Sequence, residues 1–229
     1  MGDYMIMVLE DERAHAARSP KEMAELIDEG ARFTSALRAS NKLRDSGRLR
    51  PSREGKRVRA ASVEDGPFDE SGKAMGAYYW VEAASVEEAA KVATECPVLP
   101  SDAIDVRPLV KGKVLPGKDD KPGKIFAFAV LGNRPNEDEW VKLMDRIDSE
   151  THSSFPDDSF LGGVRLDAPK RGKRVERRAM LDGPFLESKE VIGGVFFLRL
   201  ASMDEAVAWA RETRFVVHGA LEIRELWRI

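Results

Sequence analysis

Asp65-Gly66-Pro67-Phe68 and Asp182-Gly183-Pro184-Phe185 are the same four residues met twice in one chain of 229. Each copy follows a basic run rich in β-branched residues and precedes a Gly-rich aromatic run. Laying one copy on the other holds the register without a gap in both directions. Lys56-Arg57-Val58 falls on Lys173-Arg174-Val175, Glu70-Ser71 on Glu187-Ser188, and Gly76 on Gly193. Further on, Ala84-Ser85 meets Ala201-Ser202, Glu88-Ala89 meets Glu205-Ala206, and Ala103, Arg107 and Leu109 meet Ala220, Arg224 and Leu226. Roughly a third of the aligned positions are identical over about fifty residues, and a period this long reads as a duplicated domain rather than a solenoid array. A duplicated domain that packs on itself imitates a homodimer, with a pseudo-two-fold axis between its halves.

Working outward from the motif gives the elements. Tyr4 to Leu9 is a continuous apolar run of strand length, suited to burial on both faces. Ser19-Pro20-Lys21-Glu22 opens a helix: Ser19 caps, Pro20 loses no hydrogen bond, and Glu22 completes a capping box. Met23, Leu26, Ile27, Phe33 and Leu37 give that helix an apolar face to about Ala39. Asn41 to Gly55 is basic and turn-rich, with Leu43 and Leu49 as candidate short-strand residues. Lys56 to Val63 reads as an edge or hairpin strand, and Met75 to Val81 as a central one. Ser85-Val86-Glu87-Glu88 opens a second helix that Pro97 and Pro100 end, and Ile104 to Leu109 closes the half.

Val110 to Gly123, with three glycines and two prolines among lysines and aspartates, reads as a linker. The plan then repeats. Lys124 to Leu131 is a strand, and Asn136 caps a helix carrying Trp140, Leu143, Met144 and Ile147. Strands follow at Phe160 to Leu166, Arg174 to Met180 and Gly194 to Leu200. Ser202 opens another capped helix, and Ala220 to Trp227 is the last strand. The domains expected are therefore residues 1–109 and 124–229, joined by 110–123.

Each half reads β-α-β-β-β-α-β. That order predicts an α+β fold of two ferredoxin-like halves, each an antiparallel sheet with helices on one face. The bare faces would be buried by packing the halves sheet to sheet around a barrel-like core.

Composition narrows the function classes. Lys+Arg 37 against Asp+Glu 40 leaves a net charge of −3, which gives no overall pull toward nucleic acid or an anionic membrane. A single cysteine, Cys96, excludes an internal disulfide framework and fits a reducing compartment. No apolar run reaches the ~20 residues that span a bilayer. The first ten residues lack the basic start of a signal peptide, so a cytoplasmic protein is expected. Neither G-x-x-x-x-G-K-[ST] nor G-x-G-x-x-G occurs. His15, His152 and His218 are too far apart in sequence to suggest a metal, and no cofactor is expected.

These motifs and their order resemble the YCII-related family, in the branch named after the Asp-Gly-Pro-Phe motif, once in each half. Leu186-Glu187-Ser188-Lys189-Glu190 followed by Gly193-Gly194 is similar to the family's continuation of the motif. Ser19-Pro20-Lys21-Glu22-Met23 is similar to its first-helix start, and Cys96-Pro97 to its Cys-Pro after the second helix. The first copy departs after Ser71, and Thr213-Arg214 stands in place of Cys-Pro in the second half. The resemblance implies a dimeric α+β barrel, here within one chain. Some relatives are small enzymes acting on cyclic or aromatic metabolites. Some members of the wider family have a proposed His–Asp pair, but here no histidine lies between Ser19 and Asn41.

Asp65 and Asp182 are the candidate catalytic residues, as acid, base or ligand anchor at a cleft mouth. The competing account is turn chemistry, with Asp capping nearby N–H groups and Pro fixing φ. Phe68, Phe185, Glu70, Glu187 and His152 are candidate ligand-binding residues, the phenylalanines also serving as core plugs and the glutamates as surface ion-pair partners. Cys96 sits at a helix C-terminus, where the dipole does not activate a thiol. The functional expectation is a small-molecule-binding protein, or an enzyme, acting on a cyclic or aromatic metabolite in a helix–sheet cleft. The alternative is a non-catalytic regulatory or protein-interaction module in which the motif is a structural turn. The expected partner is a small molecule rather than nucleic acid or membrane, with oligomerisation beyond the pseudo-dimer left open.

Overall fold

The computed structural model describes residues 1–68, 73–115, 121–133, 142, 144–146, 159–182 and 190–227. The first half runs β1 (Gly2–Glu10), α1 (Glu12–Ala16), α2 (Pro20–Ala39), β2 (Leu43–Leu49), β3 (Lys56–Val58), β4 (Val63–Asp65), β5 (Ala74–Ala83), α3 (Val86–Ala93) and β6 (Ala103–Lys113). The second runs β7 (Lys124–Asn133), β8 (Phe160–Leu166), β9 (Lys173–Glu176), β10 (Ala179–Asp182), β11 (Glu190–Leu200), α4 (Met203–Glu212) and β12 (Gly219–Trp227).

The helix starts expected from the capping residues are present. Ser19 accepts from the Glu22 amide while Glu22 reaches back to Ser19, a complete capping box ahead of Pro20. Ser85 and Ser202 likewise accept from the amides of Glu88 and Glu205, whose carboxylates take the amides of Ala84 and Ala201. Of the helix expected after Asn136, only Lys142 and residues 144–146 are described; they are helical, and Met144 is buried.

In the first half the strands pair as β6–β1–β5–β2, and in the second as β12–β7–β11–β8, all antiparallel. Such an open sheet leaves β2 and β6 as unpaired edges, which invite strand addition. The halves satisfy each other's edges. β2 pairs with β12 through Leu49↔Leu226, and β6 pairs with β8 through Leu109↔Leu166 and on to Lys113↔Gly163. The eight strands therefore close into an antiparallel barrel. The expected packing of two separate bare faces becomes a closed ring because edge pairing satisfies backbone groups that face packing alone leaves open. The same closure lengthens β6 to Lys113, into the stretch read as a linker.

Each half also lends a hairpin to the other. β3 pairs with β12, setting Val58 opposite Leu221, and β9 pairs with β6, setting Val175 opposite Ile104. Three apolar cores follow from the alternation along the strands. Met5, Met7, Trp80, Ala127, Phe197 and Leu226 point into the barrel. Ile6, Val8, Tyr79 and Val81 point outward under the first half's helices, where Ala89 of α3, Cys96 and, from the second half, Val175 meet them. Phe126, Phe128, Phe196 and Leu221 do the same in the second half, where Ala206 of α4, Phe215 and, from the first half, Val58 meet them.

Charged pairs repeat with the strands. Arg57 reaches Glu222 at 3.1 Å, and its counterpart Arg174 reaches Asp105 at 2.7 Å. Arg107 donates to the Asp167 carbonyl and Arg224 to the Arg50 carbonyl, both through Nε at 2.8 Å. Arg59 binds Glu190 at 2.5 Å, and at the matching positions Glu176 faces Lys73 at 3.9 Å, the same contact with the charges exchanged.

Candidate functional site

The last residue of β1 sets up a polar cluster. Glu10 is almost buried, and Arg48 on β2 binds its carboxylate at 2.8 Å. Gly76 on β5 makes the space, since a Cβ there would lie 2.1 Å from the Glu10 carboxylate. Asp11 then caps the short helix α1, which carries His15 inward. His15 Nε2 lies 3.0 Å from Asp102 Oδ2, and the Asp102 side chain is fully buried. Asp102 also accepts the backbone amides of Asp11 at 2.9 Å and Leu99 at 2.8 Å, so its carboxylate is fixed from three sides. Burial alone would lower the pKa of His15, but the Asp102 hydrogen bond and the charges of Glu10 and Asp102 outweigh it and hold the value above 6.5. Nδ1 makes no hydrogen bond among the described residues.

Tyr79 on β5 continues the cluster. Its phenol is pushed up by burial beside Cys96. Burial raises Cys96 to about 12, so the thiol is not a nucleophile near neutral pH. Phe33 on α2 packs edge-on against the Tyr79 ring, with centroids 5.1 Å apart.

An open groove of about 830 Å³ lies over this cluster, between α2 and the segment from Ala93 to Pro100. Phe33, Cys96, Leu99 and Ile104 give it apolar walls, and Val175, Arg177 and Arg178 of the second half close one end. The groove reaches the polar cluster through Cys96, buried in the same core as Tyr79, and through Leu99, whose amide binds Asp102. Its volume lies in the range of ligand pockets.

A second concavity, about 160 Å³, sits at one end of the barrel between the halves. Arg57, Arg174, Asp105 and Glu222 line it, and these charges pair with each other. Arg107, whose pKa burial lowers to about 10, is held by backbone carbonyls. The space is that of a benzene-sized cavity, and its charged side chains pair with one another beside an apolar wall of Met7, Leu9, Leu49 and Leu131.

The residues singled out from sequence fall in several places. Asp65 and Asp182 are exposed on β4 and β10, bonded to Lys56 and Lys173, and line neither concavity. Gly66 approaches the Ser52 carbonyl so closely that a Cβ would lie 1.8 Å from it, which accounts for glycine there. Phe68 is buried beneath the Arg57 guanidinium, 4.5 Å from ring centre, at the small central cavity. Glu70, Phe185, Glu187 and His152 lie outside the described residues. Glu10, His15 and Asp102 were not singled out, because residues 15 and 102 are linked only through the tertiary fold. One signal was present: Asp102 stands where the matching position of the second half is Gly219, beside the identical pair Ala103 and Ala220.

Among the described residues no cluster of His, Cys, Asp and Glu could hold a metal, and no helix is long and apolar enough to cross a membrane. The family model of the YCII-related domain matches residues 151–229, the span from just before β8 to the end of the chain. No curated protein matches the chain. Among solved structures it is similar to an anthrone oxidase-like protein, with 10% identity, TM-score 0.45, and 99% of this chain and 92% of that one covered. It is similar to a proposed chlorite dismutase, with 10% identity, TM-score 0.44, and coverage of 100% and 96%. A haem-binding protein from Thermus thermophilus is similar at 7% identity and TM-score 0.39, with coverage of 99% and 92%.

Proposed function

We propose that this protein binds a small cyclic or aromatic metabolite in the helix–sheet groove of its first half, with acid–base chemistry available from the His15–Asp102 pair. In this reading the chain is a tandem duplication of a ferredoxin-like, YCII-related unit, residues 1–109 and 124–229. The first unit carries the site and the second completes and supports it. The observation that carries the reading is the titratable cluster of buried Glu10, His15, Tyr79, Cys96 and Asp102 with half-buried Arg48, which meets the groove at Cys96 and, through the Leu99 amide on Asp102, at Leu99. Buried ionisable groups beside a concavity with apolar walls are where binding and proton transfer concentrate. Asp102 sets the orientation of the imidazole, and Nδ1 is the ring atom left to exchange a proton. The motif aspartates are assigned to the hairpins, as partners of Lys56 and Lys173.

The test is a thermal-shift screen of cyclic and aromatic metabolites against the wild type and Ala36→Trp. Ala36 is an exposed residue on the groove wall, so the indole fills the groove without entering the core. A ligand at ~100 times its dissociation constant stabilises by about 2.7 kcal/mol, a clear melting shift. The wild type should shift and Ala36→Trp should not; equal shifts in both would remove the groove from consideration. The rival reading, a protein-interaction module, draws on the outer hairpin strand β10, where Met180 and Leu181 are 52% and 45% exposed. It predicts no metabolite shift at all.

A further inference from the structure

The turn between β9 and β10 is made of Arg177 and Arg178, with Glu176 and Ala179 paired across it. Both arginines have positive φ, 48° and 65°. Two-residue hairpin loops of this kind select Asn-Gly, Asp-Gly or Gly-Gly, because a Cβ is strained in the left-handed region. The corresponding turn of the first half, Ala60-Ala61, has neither residue at positive φ. The second half thus keeps two long cationic side chains where the backbone disfavours them, and strain of this kind persists where function holds it.

The hairpin lies on the other half's sheet. β9 pairs with β6, and beyond Val175 the turn runs out over the groove of the first half. Arg32 on α2 lines the same groove. No side-chain hydrogen bond or ion pair of Arg32, Arg177 or Arg178 occurs among the described residues. Elsewhere the hairpin arginines are consumed: Arg174 by Asp105 and Arg59 by Glu190. Glu29 and Glu95 are the acidic residues on the groove wall, so its charged rim is three arginines against two glutamates. The floor is apolar, with Phe33, Ile104 and Val175.

We infer that the groove takes an apolar organic anion, an aromatic or alicyclic carboxylate, with the ring on the floor of the first half and the carboxylate held by the Arg177–Arg178 turn supplied by the second. The inference rests on the groove being the binding site and adds the charge of its ligand and the role of the second half. Guanidinium groups suit the purpose because their planar fork pairs with a carboxylate through two parallel bonds.

The experiment is isothermal titration of 2-naphthoate and of the neutral 2-naphthamide into the wild type and the double variant R177N/R178G. Asn-Gly is the sequence this turn geometry prefers, so the variant should fold and melt no lower than the wild type. The naphthoate should bind the wild type at least tenfold more tightly than the amide, and weaken with ionic strength. In the variant that preference should vanish, with amide affinity changed less than twofold. If naphthoate and naphthamide bind the wild type equally, the anion inference falls while the groove reading stands. If naphthoate binds both proteins alike, the turn is not its partner and the inference falls. If neither compound binds, the inference falls together with the groove reading.

Discussion

The two helix-side cores lie under matching strands and differ in kind. In the first half the outward face carries Glu10, Arg48, Tyr79, Cys96 and Asp102, with His15 packed on them. The strand registers and the repeat set these positions against Gly132, Arg165, Phe196, Thr213 and Gly219 in the second half. There Phe196 stacks on Phe128 and on Phe215, each at 5.0 Å, and Trp209 closes edge-on against Phe128 at 5.1 Å. The arginine is retained and now binds Asp145 at 2.8 Å, Thr213 keeps a hydroxyl that donates to the Ala210 carbonyl, the phenol gives way to a phenyl ring and the two carboxylates to glycines. One scaffold therefore carries a titratable interior and an aromatic one. The backbone tolerates both because the strand pairing, the swapped hairpins and the capped helices do not depend on which is present. The family match to residues 151–229 falls on the half with the aromatic interior.

The contrast can be broken most forcefully in the aromatic half. Phe196→Ala removes a buried ring from a stacked cluster and should cost about 4 kcal/mol in urea unfolding, whereas Tyr79→Phe at the matching position loses one hydroxyl and should cost about 1 kcal/mol. Next in size, Asp102→Ala leaves His15 and the amides of Asp11 and Leu99 without their acceptor, a loss of about 3 kcal/mol. Gly76→Ala drives a methyl into the Glu10 carboxylate and should cost roughly 2 kcal/mol by overpacking.

A subtler difference is pH. His15 has its folded pKa raised above 6.5, so the folded state binds its proton more tightly than the unfolded chain. Its contribution is complete below pH 6.5 and is lost as pH rises through the folded value. His15→Gln should remove that part of the stability–pH curve, as read from unfolding midpoints across the neutral range. The smallest effect belongs to the motif: Asp65→Asn breaks only an exposed pair with Lys56 and should leave the midpoint unchanged within scatter.

Much of the fold could be read from the chain alone. The serine caps at 19, 85 and 202 predicted three helix starts, and all three form, because a cap is a local signal. Barrel closure was less legible. It depends on which edges meet, β2 with β12 and β6 with β8, and these pairings join residues far apart in the chain. The site was least legible. The motif drew attention to Asp65 and Asp182 because identical residues stand out in a repeat. The cluster that distinguishes the halves is made of residues that do not repeat: Glu10, His15, Asp102, and the arginines at 177 and 178. A search for differences between the copies, rather than identities, would have found Asp102 against Gly219.

The measurement that tests the account most directly is a methyl NMR map of the wild type with the strongest ligand of the metabolite screen. The account predicts shifts confined to Val98, Leu99, Ile104 and Val175, which border the first half's groove. Shifts at Leu49, Leu131, Val191 and Ile192 instead would place the ligand in the central cavity between the halves and contradict it.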